Sequence, residues 1–160
     1  MTQRVHVKMG EVHVLVDQGT LFTIGLGSCV AVVLYDPQAR IGGLAHVMLP
    51  DGANATNGRQ GRFAVTAVPE LLDRMVSAGA QQASIYARIA GGAAMFEEIL
   101  PRATARLGER NVTAVKAALA QAGIPLHGED VGGNAGRSVF FDANDGSLVI
   151  RSVRRADVVL

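Results

Sequence analysis

Two apolar runs, Cys29–Tyr35 and Ile41–Leu49, flank Asp36-Pro37-Gln38-Ala39-Arg40 and commit this part of the chain to a β-hairpin. Pro37 fixes φ and has no N–H to give a ladder, and Asp36 suits the first corner of a turn. With Pro37–Arg40 as a four-residue loop, Asp36 opposes Ile41 and Ala31 faces His46. Cys29 then lies on the same sheet face as His46, a diagonal pair about 7–8 Å apart at the backbone. A five-residue loop would put the two side chains on opposite faces, and a bulge at Gly42-Gly43 would also change the parity.

Around this hairpin the chain is strand-rich at first and mixed later. Val12, Val14 and Val16 alternate with polar residues, as Val5 and Val7 do more weakly, and Thr20–Leu26 is a further β-rich run ending at Gly27-Ser28. Asp51–Gln60 reads as a loop. Phe63, Ala67, Leu71 and Met75, with Val68, Leu72 and Val76 alongside, predict a helix whose stable part Pro69 begins or kinks. Ala83–Ile89 is expected as a strand and Ala93–Leu100 as a short helix stopped by Pro101. Asn111 is a good N-cap for a helix through Ala122 that carries Val112, Val115 and Leu119 on its apolar face, with Gly123 and Pro125 ending it. Strands are expected at Ile124–Val131, Ser138–Asp142 and Leu148–Val153, the last two joined by the turn Ala143-Asn144-Asp145-Gly146. The pattern predicts an α+β fold, a layered and mainly antiparallel β-sandwich with helices packed outside. One domain over residues 1–160, with its core at about 8–152, is the expected organisation.

Composition excludes several function classes. Fifteen basic residues against fourteen acidic ones leave almost no net field, and aromatics are 4% with no Trp, so a nucleic-acid partner lacks both its electrostatic and its stacking term. No secretory signal and no apolar run of membrane-spanning length is visible, and the lone thiol suits a reducing compartment, so a cytoplasmic protein without membrane insertion is expected. His6, His13 and His127 offer no pair at metal-ligand spacing, and Gly91-Gly92 and Gly132-Gly133 lack the lysine and spacing of a phosphate loop, so neither a metal nor a nucleotide is expected. Arg151, Arg154 and Arg155 form a basic C-terminal cluster, a solvated end or an electrostatic lure for an acidic partner helix.

The chain has a single cysteine, which is either a buried small hydrophobe or a nucleophile. Its setting favours the second. Cys29 follows the glycine-rich Gly25-Leu26-Gly27-Ser28 turn, whose backbone N–H groups, at Gly27 and Ser28, suit a developing oxyanion. A histidine beside a thiol lowers the thiol pKa and serves as base and then acid. Thr23, on the preceding strand, is the nearest group to orient the His46 ring through its other nitrogen.

At these residues the sequence resembles the bacterial CheD family of chemoreceptor glutamine deamidases. The likeness runs through Thr23-Ile24-Gly25-Leu26-Gly27-Ser28-Cys29, Ile41–Pro50, Gly91–Phe96, Gly108–Val112, Gly123–Leu126, Glu129–Gly133 and Gly136-Arg137, in order, from about residue 8 to 152. The resemblance implies a cysteine hydrolase that converts particular glutamines of methyl-accepting chemotaxis receptors to glutamate and releases ammonia. It implies Cys29 as nucleophile, His46 as general base, Thr23 as orienting residue, no metal or organic cofactor, and the phosphatase CheC as a regulatory partner. It also implies a layered fold shared with the deamidating cytotoxic necrotizing factor toxins. The alternative class is a receptor- or CheC-binding adaptor without chemistry.

Overall fold

A computed structural model describes residues 3–51, 60–95, 106–153 and 155–160. Its strands are β1 (Arg4–His6), β2 (Val12–Val16), β3 (Thr20–Leu26), β4 (Val30–Asp36), β5 (Ile41–Val47), β6 (Tyr86–Gly91), β7 (Leu126–Val131), β8 (Arg137–Asp142), β9 (Leu148–Ser152) and β10 (Arg155–Val159), with helices α1 (Ala64–Ser77) and α2 (Leu107–Gln121). They form two five-stranded sheets, ordered β1-β3-β8-β9-β10 and β2-β5-β4-β6-β7. Six pairings are antiparallel; β1 with β3 and β6 with β7 are parallel. A parallel pair needs a crossover, and α2 supplies it between β6 and β7.

The second sheet is the middle layer. Val30, Val32 and Leu34 of β4 join Ala45 and Val47 of β5 against Leu71 and Met75 of α1 and Val115 and Leu119 of α2. Ala31, Val33 and Tyr35 point the other way, with Leu44, into a second core shared with Leu21, Leu26, Val139, Phe141 and Ile150 of the first sheet. Both faces of β4 are therefore dry, which is why its sequence is a continuous apolar run rather than an alternating one. The α+β sandwich expected from the sequence is present, with the helices confined to one outer face.

The hairpin forms as expected. Asp36 pairs with Ile41 and Ala31 with His46, without a register shift. Asp36 Oδ1 accepts the Gln38 and Ala39 N–H groups at 3.0 and 3.1 Å, closing the loop from its first residue. Gly42-Gly43 makes no bulge; both are close-approach sites, since a Cβ at Gly42 would enter the Phe141 ring and one at Gly43 would strike Leu71.

Elsewhere the structure corrects the sequence reading. Pro69 lies inside α1, which runs on both sides of it; the Val65 carbonyl that loses its helical donor belongs to an exposed residue. The predicted Ala83–Ile89 strand starts only at Tyr86, because Ser84 N–H and Ile85 N–H bond back to Gln81 and Gln82 and close a 3₁₀ turn at Gln82–Ser84. Ala93 and Ala94 are not helical, since their N–H groups go to Gly27 and Gly133, and Met95 lies in a bend; residues 96–100 of the predicted Ala93–Leu100 helix lie outside the described residues, as do residues 52–59 of the predicted loop. Helix α2 begins at Leu107, one turn before the predicted cap, and Asn111 is fully buried inside it. Gly108 permits this early start, for a Cβ there would sit 2.5 Å from the Gly92 carbonyl oxygen and 2.6 Å from that of Ala93.

Strand β10 was not anticipated; it extends the first sheet beyond β9. It also changes the reading of the basic C-terminal cluster. Arg151 pairs with Asp157 at 3.1 Å, and Arg155 Nη1 reaches Asp130 Oδ1 at 3.0 Å, so both described arginines are already matched by carboxylates. Arg154 lies outside the described residues.

Candidate active site

Thr23 and His46 come from different sheets and meet between them. The Thr23 hydroxyl oxygen is 2.9 Å from His46 Nδ1, and the Val7 carbonyl oxygen is 3.4 Å from the same nitrogen. A carbonyl can only accept, so Nδ1 carries the proton and the remaining ring nitrogen, Nε2, keeps its lone pair. Thr23 is 0% and His46 4% exposed, so water does not compete for this contact.

An extra residue in β3 sets Thr23's position. Thr23 pairs with Val139 but Leu26 pairs with Arg137, three steps on β3 against two on β8. That is a β-bulge over Ile24-Gly25, where Gly25 takes φ 71°. The bulge lets both Thr23 and Leu26 turn inward although they are an odd number apart, and it leaves Ile24 on the surface. The sequence reading placed Gly25 in the turn before the cysteine; it belongs to β3, and an isolated glycine in a strand pattern was the signal for the bulge.

Cys29 stands one residue ahead of β4, partly buried, its side chain packed on the core between the sheets. That is the face of Ala31 and Leu44, and Ala31 lies directly opposite His46. The thiol and imidazole positions therefore share one side of the middle sheet, as the four-residue loop requires. The turn before the thiol is held from behind: Ala93 N–H donates to the Gly27 carbonyl at 2.8 Å and Gly92 N–H to the Cys29 carbonyl at 2.9 Å. Gly91 lies so close that a Cβ there would collide with the Cys29 carbonyl, which explains the Gly91-Gly92 pair as a packing device. Gly27 meets Met95, with only 3.2 Å between a would-be Cβ and the sulfur.

Electrostatics modify one expectation. Burial pushes the Cys29 thiol above its ordinary range, opposite to the lowering expected from a histidine neighbour. Burial also holds His46 below its ordinary value, assisted by His6 and opposed by the Val7 hydrogen bond and Glu11. Both groups thus rest neutral, and the arrangement suits general-base activation of the thiol during attack rather than a preformed ion pair. Iodoacetamide alkylation of Cys29 is accordingly expected to accelerate with pH through an inflection above that of an ordinary exposed thiol. A rate plateau across neutral pH with its inflection below about 7 would show the preformed pair instead.

The other histidines have partners of their own, although His6 is near enough to act on His46 electrostatically. His127 stacks on Tyr86 with ring centroids 4.5 Å apart, His6 stacks on Phe22 at 5.0 Å, and His13 is 3.7 Å from Glu11. Asp36 serves the hairpin turn and the Gln81 N–H. The sequence reading missed one residue at the site: Asn111, whose side-chain amide donates to the Ser28 and Met48 carbonyls at 2.9 and 3.0 Å.

Comparison with known proteins places the chain in a family. The family described as "CheD chemotactic sensory transduction" matches residues 48–152. The chemoreceptor glutamine deamidase CheD of Thermotoga maritima is 44% identical over 147 residues, 92% of this chain and 90% of that protein. A probable chemoreceptor glutamine deamidase CheD of Methanococcus maripaludis is 43% identical over 145 residues, covering 91% of this chain and 92% of its own. A probable chemoreceptor glutamine deamidase, CheD 2, of Geobacter metallireducens is 40% identical over 157 residues, 97% of each chain. With identity of this level over nearly its whole length, and a family match over residues 48–152, the chain belongs to the CheD family.

Proposed function

We propose that this protein is a chemoreceptor glutamine deamidase, with Cys29 as nucleophile, His46 as general base and acid, and Thr23 as the residue that orients the imidazole. The observation that carries the reading is the Thr23–His46 contact across the two sheets, which engages Nδ1 of an imidazole whose strand position shares a sheet face with a partly buried thiol. Relatives named as deamidases of chemoreceptors supply the substrate class.

In this reading Nε2 of His46 takes the thiol proton as Cys29 Sγ attacks the carboxamide carbon of a receptor glutamine. The carbonyl oxygen becomes an oxyanion, received by the Ser28 N–H expected from the sequence and by the Cys29 N–H in place of that of Gly27, whose part is to keep the turn compact against Met95. The imidazolium returns its proton to the amide nitrogen, the C–N bond breaks, and ammonia leaves behind a thioester. Water then attacks the thioester carbon while His46 takes a proton from it. The C–S bond breaks, Cys29 recovers the proton, and the side chain is glutamate. Each proton that the ring accepts it gives back, so no cofactor enters the balance. The receptor gains a negative charge at a helix surface, where like charges repel.

No helix among the described residues is long and apolar enough to cross a membrane, and a working thiol suits a reducing compartment, so we place the enzyme in the cytoplasm. A regulatory contact with a CheC-type phosphatase fits the same family and is compatible with the chemistry.

The test is incubation with a purified receptor cytoplasmic fragment. Stoichiometric ammonia and a mass gain of about 1 Da at defined glutamines are expected, the net result of acyl transfer to water. Absence of both, with the protein folded and the thiol reduced, would refute the assignment.

A further inference from the structure

Three consecutive carbonyls in the nucleophile's turn are gripped from one side. Gly27 is held by the Ala93 N–H, Cys29 by the Gly92 N–H, and Ser28, between them, by the side chain of Asn111. In a trans peptide the C=O of one residue and the N–H of the next point in opposite directions. Fixing the Gly27 and Ser28 carbonyls toward the Gly92-Ala93 segment and α2 therefore turns the Ser28 and Cys29 N–H groups away from it. Among the described residues neither N–H donates to any acceptor.

Asn111 has a second grip. The same Nδ2 donates to the Met48 carbonyl, two residues beyond His46. One side chain on α2 thus bridges the segment that carries the thiol and the segment that carries the imidazole. Its own Oδ1 is buried without a partner among the described residues, in a residue that is fully buried. A lone buried acceptor is a standing cost, and an apolar residue of similar size would avoid it. Flipping the amide would set its oxygen against two carbonyl oxygens, so the bridging orientation is the one the surroundings demand.

We propose that Asn111 is a positioning residue of the deamidation reaction: by bridging the Ser28 and Met48 carbonyls it aims the Cys29 N–H at the oxygen of the attacked carboxamide and keeps that donor in register with His46. The inference rests on the deamidase reading above, and it assigns α2 a part in catalysis although no residue of that helix touches substrate in the mechanism.

Asn111→Leu removes both donors at similar volume, and Asn111→Asp keeps the shape but sets an oxygen against each carbonyl. Both are compared with wild type for ammonia release from the receptor fragment and for iodoacetamide alkylation of Cys29. Alkylation displaces iodide at a saturated carbon and forms no oxyanion, so a role in aiming the N–H should not affect it. For both variants kcat should fall about 100-fold with KM changed less than about threefold, as for loss of an oxyanion donor, while the alkylation rate stays within about twofold. Several results would overturn the proposal: kcat near wild type in either folded variant, alkylation falling in parallel with deamidation, or failure of both variants to fold, which would make the role structural. A wild type that releases no ammonia refutes the deamidase reading itself, and the inference with it.

Discussion

Replacing Cys29 with alanine is expected to lower ammonia release from a receptor fragment by at least about a thousandfold, because the covalent route has no second nucleophile to fall back on. It is the chain's only cysteine. His46→Ala should approach the same loss, since both resting groups are neutral and the thiol then has no base to accept its proton. Thr23→Val should cost less, on the order of tenfold, because the Val7 carbonyl still accepts from Nδ1 and preserves the tautomer. The order matters as much as the size: cysteine and histidine together, threonine well behind. Receptor binding by the Cys29→Ala protein, measured by calorimetry, should survive, since the thiol is a small part of any helix-sized interface. If Cys29→Ala still releases ammonia, the thioester mechanism is wrong; if it leaves chemotaxis intact in cells, the adaptor reading takes its place.

The parts of this site that could be read in the sequence are those fixed by neighbours along the chain. Asp36-Pro37 sets the loop length, the loop length sets the register, and the register brings Cys29 and His46 to one face. The expected Thr23 contact has a less local basis, because Thr23 and His46 belong to separate sheets whose stacking no local pattern encodes. Family likeness supplied what local reasoning could offer only as the nearest candidate. Asn111 shows the limit of local rules. Asparagine followed by a periodic apolar pattern reads as an N-cap, because its side chain competes for nearby backbone groups. Here the amide instead satisfies carbonyls 83 and 63 residues away, and the helix starts a turn earlier because Gly108 lets it close on the Gly92-Ala93 backbone. Strand β10 escaped for a related reason: Arg155–Val159 is a sheet-edge segment with mostly exposed side chains, so it shows no alternation to detect. The thiol's raised pKa was hidden too, since desolvation depends on what packs around Cys29 and not on which residues adjoin it.

A single methyl group placed between the sheets should unsettle both the fold and the site. Gly42 of β5 faces Phe141 of β8, and a Cβ at position 42 would enter the phenyl ring while standing 3.3 Å from Tyr35. Phe141 is fully buried and packed edge-on to Tyr35, so the ring has nowhere to retreat. Gly42→Ala is therefore expected to destabilise the fold by about 1–3 kcal/mol through overpacking. Phe141→Ala alone should cost about 3–5 kcal/mol by opening a cavity. Together they should cost less than their sum, because the cavity accepts the methyl, with a coupling of about 0.5–3 kcal/mol in the compensating direction. Urea midpoints of the four proteins close this cycle, and strictly additive costs would show that the glycine is not there to admit the ring. The same contact reaches the active site. Phe141 pairs with Leu21, two residues before Thr23, while Gly42 lies four residues before His46 on its own strand. A methyl that wedges these strands apart lengthens the Thr23–His46 contact, so Gly42→Ala should also lower kcat, and Phe141→Ala in the same chain should restore part of it.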